Sequence, residues 1–273
     1  MRSLPPLRLL SIVLTTLLAS FASAQRAAPP KLPKPGKAIE VVFVGNSYTF
    51  FHDLPAMVRA LGAAQQPPRE VTTILLAPGG FTLEGHWNAT GKDAPRTVLA
   101  DRRPDFVVLQ EQSRRPLDEP AKMHEFAALL AKLVKDRRAV AVWYMTWARK
   151  AEPEAQDRLT AEYAKVQQAN GGLLAPVGRA FQIARQDTEP LTLHADDGSH
   201  PSPAGSYLAA CVLFATMCGG DVMTFPDKLT QRGEDGKEHV LLALQPAEGQ
   251  RLRAAAKAAL ADAKAGAAKR AAK

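Results

Sequence analysis

The sequence predicts an α/β fold built on a mostly parallel sheet covered on both faces. Three observations carry that expectation. Short β-rich apolar runs alternate with stretches of helical periodicity from residue 39 to about residue 220. The runs are apolar almost throughout, as strands buried on both faces are. The residues that follow the first four runs include Ser47, Gly79-Gly80, Gln110 with Gln112, and Trp147. In a parallel sheet these all fall on the carboxyl edge, where ligands bind.

Ile39–Val44 reads as the first strand. Asp53-Leu54-Pro55 then supplies an N-cap and an early-turn proline for a helix reaching about Ala64. Glu70–Leu76 is the second strand, followed by a long loop over Ala77–Thr90 and a helix near Ala94–Asp101. Asp105–Gln110 is the third strand. Met123, Phe126, Leu129, Leu130 and Leu133 repeat at helical spacing within Glu119–Lys135. Ala139–Met145 is the fourth strand, with Trp143 and Met145 in the core. A helix over Glu154–Gln168 stops at Asn170-Gly171-Gly172. Leu173–Val177 is a weak fifth strand, Gly178–Arg185 a short helix, and Pro203–Met217 the last strong helix.

Around this body lie three other segments. Residues 1–24 read as a signal peptide: Arg2 and Arg8, an apolar stretch over Leu9–Leu18, and Ala22-Ser23-Ala24 as a cleavage site. Such a segment addresses the chain to a secreted or periplasmic location, and its apolar stretch is short for a membrane span, which needs roughly 20 residues. Residues 25–38, with four prolines and three lysines between Ala27 and Lys37, read as a stiff, solvated linker. Residues 39–248 form one domain, and residues 249–273 a basic Ala/Lys-rich tail, read as a solvated helix or arm. The net charge of +8 is confined to the ends, because residues 25–248 carry as many acids as bases. Nucleic-acid binding by the domain therefore has little compositional support. Cys211 and Cys218 lie seven apart on one predicted helix, about 10 Å along its axis. A disulfide needs less than about 7 Å, so both read as free, buried residues.

Chemistry concentrates in two short segments, Gly45-Asn46-Ser47 and Asp197-Gly198-Ser199-His200-Pro201. A serine hydroxyl needs a base to take its proton and a third group to orient that base. Ser47, His200 and Asp197 supply all three. Each also has an ordinary reading: Ser47 as a turn serine, Asp196-Asp197-Gly198 as a turn, and Ser202-Pro203 as a helix start. Thr49 stands where G-x-S-x-G would place its second glycine, which argues against the α/β-hydrolase elbow. His194, Asp196, Asp197 and His200 offer a rival reading as ligands of a divalent metal in a hydrolase.

Gly45-Asn46-Ser47-Tyr48 and Asp197-Gly198-Ser199-His200-Pro201-Ser202, in this order, resemble the first and last blocks of the SGNH (GDSL-type) hydrolases. The resemblance spans most of residues 39–220. It implies a three-layer α/β/α sandwich of flavodoxin-like type, and a serine esterase without a cofactor. Within it Ser47 is nucleophile and oxyanion donor, His200 the base, and Asp197 its orienting carboxylate. The glycine donor of the second block falls on Gly79 or Gly80. The third block departs from the family: Leu109-Gln110-Glu111-Gln112-Ser113 has no asparagine, so Gln110 or Gln112 takes the amide-donor role.

Glu84, His86 and Trp87, in the loop after the second strand, are candidates for a pocket wall or a second acid/base. Tyr48, Phe50, Phe51, Trp87 and Trp147 are candidates for an aromatic floor under a sugar or acyl chain, with the core as their ordinary place. The expected partner is a small-molecule or glycan ester, with short acyl groups on carbohydrates the favoured class. A non-catalytic glycan- or envelope-binding protein on the same fold is the alternative from another class.

Overall fold

The structure is a computed structural model and describes residues 30–187, 189 and 191–271 of the 273. The expected signal peptide and residues 25–29 of the linker lie outside the described residues.

Five parallel strands form the sheet: β1 (Ile39–Val44), β2 (Val71–Leu76), β3 (Phe106–Leu109), β4 (Val140–Tyr144) and β5 (Leu173–Ala175). Their order is β2-β1-β3-β4-β5, the flavodoxin-like order. Alternate residues of each strand enter opposite layers. Val41 and Phe43 of β1, with Val108 and Val142, face one core. That core is closed by α2 (Leu54–Ala63), α8 (Val177–Arg185), α9 (Pro203–Cys218) and α10 (Pro246–Ala271). Val42 and Val44, with Val107, Leu109 and Trp143, face the other. There α3 (Leu83–Asn88), α4 (Pro95–Asp101), α6 (Pro120–Asp136) and α7 (Ala155–Asn170) supply the cover. The chain is thus the three-layer sandwich that the alternation of elements predicts. Two one-turn helices complete the set, α1 (Ser47–Phe50) after β1 and α5 (Arg115–Asp118) after β3.

Four regions differ from the sequence expectation. The loop after β2 contains α3, which Thr82 caps by accepting a hydrogen bond from the Gly85 N–H. The tail is not a solvated arm, and the domain does not end at residue 248, which lies inside α10. Leu252, Ala255, Ala256 and Ala259 form a stripe at helical spacing, and that stripe is buried against α8 and α9. Arg253 adds an ion pair to Asp227. Before α10, strands β6 (Lys228–Arg232) and β7 (Glu238–Ala243) form a separate antiparallel hairpin. The described part of the linker is also fastened to the domain, because buried Arg69 donates to the carbonyls of Lys34, at 2.8 Å, and Lys37. Among the described residues no helix is long and apolar enough to cross a membrane. Cys211 and Cys218 are both free thiols on α9.

The covering role of α10 yields a test. Ala256 is 0 % exposed, so Ala256→Glu forces an unpaired carboxylate and extra volume into the α8–α9–α10 contact. We expect a loss of about 3 kcal/mol or more, read from the urea midpoint. An unchanged midpoint would show that this helix contributes nothing to the fold.

Candidate active site

Strand β1 ends against the end of β3, and Gly45 makes that approach feasible. A Cβ there would collide with Thr49 Oγ1 and Gln110 Oε1. Asn46 then shapes the turn. Its Oδ1 accepts from the Tyr48 N–H at 3.1 Å, capping α1, and its Nδ2 donates to the Phe81 carbonyl at 2.8 Å. Ser47 is therefore the first residue of α1, where the helix leaves the backbone N–H unpaired.

The loop before α9 brings the other two groups. His200 Nε2 lies 2.9 Å from Ser47 Oγ. His200 Nδ1 is hydrogen-bonded to Asp197 Oδ2. Asp197 Oδ1 accepts from the backbone N–H groups of Ser199 and His200, both at 2.9 Å. The bond to His200, then the Ser199 N–H, hold the Asp197 carboxyl down at about 2. Phe51 stacks on the imidazole with ring centroids 4.3 Å apart, and Tyr48 meets it edge-on at 5.7 Å. His52 and Asp53, which follow Phe51, both adopt positive φ (53° and 50°). That left-handed pair is strained for non-glycine residues. It is held by His52 Nδ1 to Ser206 Oγ at 2.9 Å and by Asp53 capping the Ala56 N–H at 3.1 Å.

Tyr48 and Trp147 hold the loop that carries His200. The Tyr48 hydroxyl is 2.7 Å from Ser199 Oγ, and Trp147 Nε1 donates to the Ser199 carbonyl at 2.9 Å. Their rings stack at 4.3 Å, and Phe181 stacks on the far face of Trp147 at 4.3 Å. Trp147 is only 1 % exposed and lies outside the cavity. Its place as a substrate floor is corrected: it is a core residue that clamps a loop. Trp87 is corrected too, since its ring lies under the Arg96 guanidinium at 4.0 Å, away from the cavity. Tyr48 does line the cavity, as do Phe50 and Phe51.

The cavity beside Ser47 and His200 measures about 420 Å³. Gly79 and Gly80 form part of its wall, and an added Cβ at either meets nothing within 4 Å. Gly80 needs its freedom, with φ at +74°. The two glutamines separate clearly. Gln110 is fully buried: its Oε1 accepts from the Asn46 N–H and Thr49 Oγ1, both at 2.9 Å, and its Nε2 donates to the Glu111 carbonyl at 2.6 Å. Its amide is spent on the Ser47 turn and the Glu111 carbonyl, which corrects its candidacy as an oxyanion donor. Gln112 lines the cavity. Its Oε1 accepts from the N–H groups of Arg114 (2.7 Å) and Arg115 (3.1 Å), leaving its NH₂ free among the described residues.

Glu84 and His86 are corrected as a second acid/base pair. Glu84 is tied to Arg115 at 2.9 Å, and buried His86 donates from Nε2 to the Gly45 carbonyl at 2.7 Å. Burial lowers the His86 pKa, favouring this neutral, structural role. The rival metal ligands do not converge either. His194 Nε2 faces the Ala148 carbonyl at 3.0 Å, and Asp197 and His200 are bonded to each other. Among the described residues no group of three or more His, Cys, Asp or Glu side chains is placed to hold a metal ion.

Sequence reasoning missed Glu111. It is 1 % exposed, and its Oε1 accepts from the N–H groups of Leu83 (3.1 Å) and Gln112 (2.7 Å). It thus joins the start of α3 to the wall that carries Gln112. A carboxylate at the end of a fully apolar strand was the available signal. Burial raises its pKa to about 7, against the two backbone donors, which lower it. Between the ordinary value of 4.5 and 7, the folded state keeps a proton that the unfolded state releases. Stability therefore falls as pH rises through that window, by about 3 kcal/mol in all. Glu111→Gln keeps an acceptor for both N–H groups but cannot ionise. Its melting temperature relative to the wild type should rise between pH 5 and pH 8. An offset that is the same at both pH values would refute the raised pKa.

Known proteins share this fold. A protein from Slackia heliotrinireducens described as an SGNH hydrolase is 33 % identical, with a TM-score of 0.57, over 66 % of this chain and 99 % of its own. The chain belongs to the SGNH hydrolase family. A DUF4886 family protein from Bacteroides uniformis shares the fold more widely, with a TM-score of 0.62 over 82 % of this chain and 95 % of its own at 20 % identity. An acetylxylan esterase from Geobacillus stearothermophilus shares it at a TM-score of 0.50 and 19 % identity, over 68 % of this chain and 96 % of its own. The sequence matches no family model and no curated protein. After β3, Gln110 braces the Ser47 turn and Gln112 faces the cavity.

Proposed function

We propose that this SGNH hydrolase is an exported serine esterase acting on short acyl esters, acetyl esters of carbohydrates foremost. The relay from Ser47 Oγ through His200 to Asp197 is the observation that carries the reading. His200 Nε2 takes the Ser47 proton as Oγ attacks the ester carbonyl. Asp197, ionised down to about pH 2, fixes the ring tautomer and offsets the imidazolium charge. The tetrahedral oxyanion is received by the Ser47 N–H, the N–H of Gly79 or Gly80, and the Gln112 NH₂. The backbone N–H groups of both glycines make no backbone hydrogen bond among the described residues, so they are available for this role. His200 then gives its proton to the leaving alcohol, and water, activated by the same imidazole, frees the acyl group.

A cavity of about 420 Å³, walled by Phe50 and Phe51, favours a small acyl group. Residues 1–24 supply the export signal, and a polymer-borne ester is a fitting substrate outside the cytoplasm. Hydrolysis of 4-nitrophenyl acetate, with labelling of Ser47 by a fluorophosphonate located by mass spectrometry, tests the reading. Turnover with label on Ser47 supports it. Turnover with no label on Ser47 would overturn the assignment of the nucleophile.

A further inference from the structure

Arg149 follows β4, two residues beyond Trp147, and lines the catalytic cavity. Every other arginine near this wall is committed. Arg114 grips Asp118 at 3.0 Å and Glu152 at 2.5 Å. Arg115 grips Glu84 at 2.9 Å and Glu119 at 2.7 Å. Asp118, which also feels the Arg149 charge, and Glu152, Glu84 and Glu119 are therefore already paired. The Arg149 guanidinium makes no ion pair or hydrogen bond among the described residues. No acidic residue lines the cavity, and Arg149 is its only permanently charged wall residue among those described. Its charge is felt at the Tyr48 hydroxyl, which it lowers in pKa against the rise caused by burial.

An unpaired guanidinium in the wall of a small cavity can serve as a recognition device. Its planar fork matches a carboxylate in two parallel hydrogen bonds. A phosphate dianion would call for more positive charge than one arginine, and no lysine lines the cavity. Resting on the esterase reading above, we infer that the preferred substrate is an ester bearing a carboxylate, in its acyl or its alcohol portion, which Arg149 binds while Ser47 attacks the ester bond. Arg149 then sets specificity.

The test compares kcat/KM for a neutral ester, 4-nitrophenyl acetate, with two acidic ones. These are the 4-nitrophenyl monoester of succinate, acidic in the acyl portion, and 4-acetoxybenzoate, acidic in the leaving portion. We expect the acidic-to-neutral ratio for at least one acidic ester to fall about 10-fold or more in Arg149→Gln, mainly through KM, and to be largely kept in Arg149→Lys. Higher salt should also lower the wild-type ratio. Ratios that do not change in Arg149→Gln would overturn the inference, as would equal loss on all three esters. Turnover of the neutral ester by the wild type reports separately on the esterase reading. If no ester is turned over, calorimetry of the same esters with the Ser47→Ala protein still decides. Tighter binding of an acidic ester that Arg149→Gln abolishes supports the inference, and equal binding refutes it.

Discussion

Replacing Ser47 with alanine should lower kcat for 4-nitrophenyl acetate by about 10⁴-fold or more. The substitution removes one oxygen whose described side-chain partner is His200. The turn that presents it is held by Asn46, Gln110 and Gly45, none of which contacts that oxygen. The unfolding midpoint should therefore stay within about 0.5 kcal/mol of the wild type. Loss of activity at constant stability would locate the chemistry at Ser47. Activity retained in the variant would sink the relay, whatever the geometry of His200 and Asp197. Asp197→Asn offers a companion measurement: the side chain keeps its shape but can no longer hold the correct imidazole tautomer as an acceptor, so kcat should fall about 10⁴-fold.

The second large effect is on stability. Trp147→Ala should cost about 3–5 kcal/mol, read from chemical denaturation. The indole fills the middle of a three-ring stack, with Tyr48 and Phe181 each at 4.3 Å, and is 1 % exposed. Its Nε1 also anchors the Ser199 carbonyl, one residue before His200. The variant should consequently lose catalytic rate as well as stability. Trp147→Phe separates the two contributions, because it keeps an aromatic ring in the stack and loses the N–H. A stability loss in Trp147→Ala no greater than that of an ordinary surface change would mean the stack does not hold the loop.

The strands and their polar ends were legible because apolar runs bounded by turns leave few alternatives. Ser47, Asp197 and His200 were legible because their spacing has a chemical meaning beyond the turns they form. The two glutamines were not separable in the sequence. Residues 110 and 112 differ in whether the side chain turns under Gly45 or into the cavity, and that depends on contacts across 64 residues. Trp147 was misplaced for a similar reason: an aromatic at a strand end reads the same whether it faces a ligand or a stack. The C-terminal helix was hidden by composition, since alanines carry a weak hydrophobic signal and its lysines a strong polar one. A clue existed in α9, where Ala204–Met217 is buried on every side. A helix apolar all round must be covered all round, and the elements up to residue 220 leave one side of α9 for α10.

Ser47 and His200, whose hydroxyl and imidazole meet at the cavity, are separated by 153 positions along the chain. At translation rates of roughly 5–20 residues per second, His200 follows Ser47 out of the ribosome by about 8–30 s. Throughout that interval the Ser47 hydroxyl has no imidazole beside it. β1, β2 and β3 all precede residue 197, so the strands around Ser47 are present in the chain before the 197–200 loop exists to dock against Tyr48 and Trp147. A chain halted before residue 197 therefore lacks the hydroxyl–imidazole contact altogether.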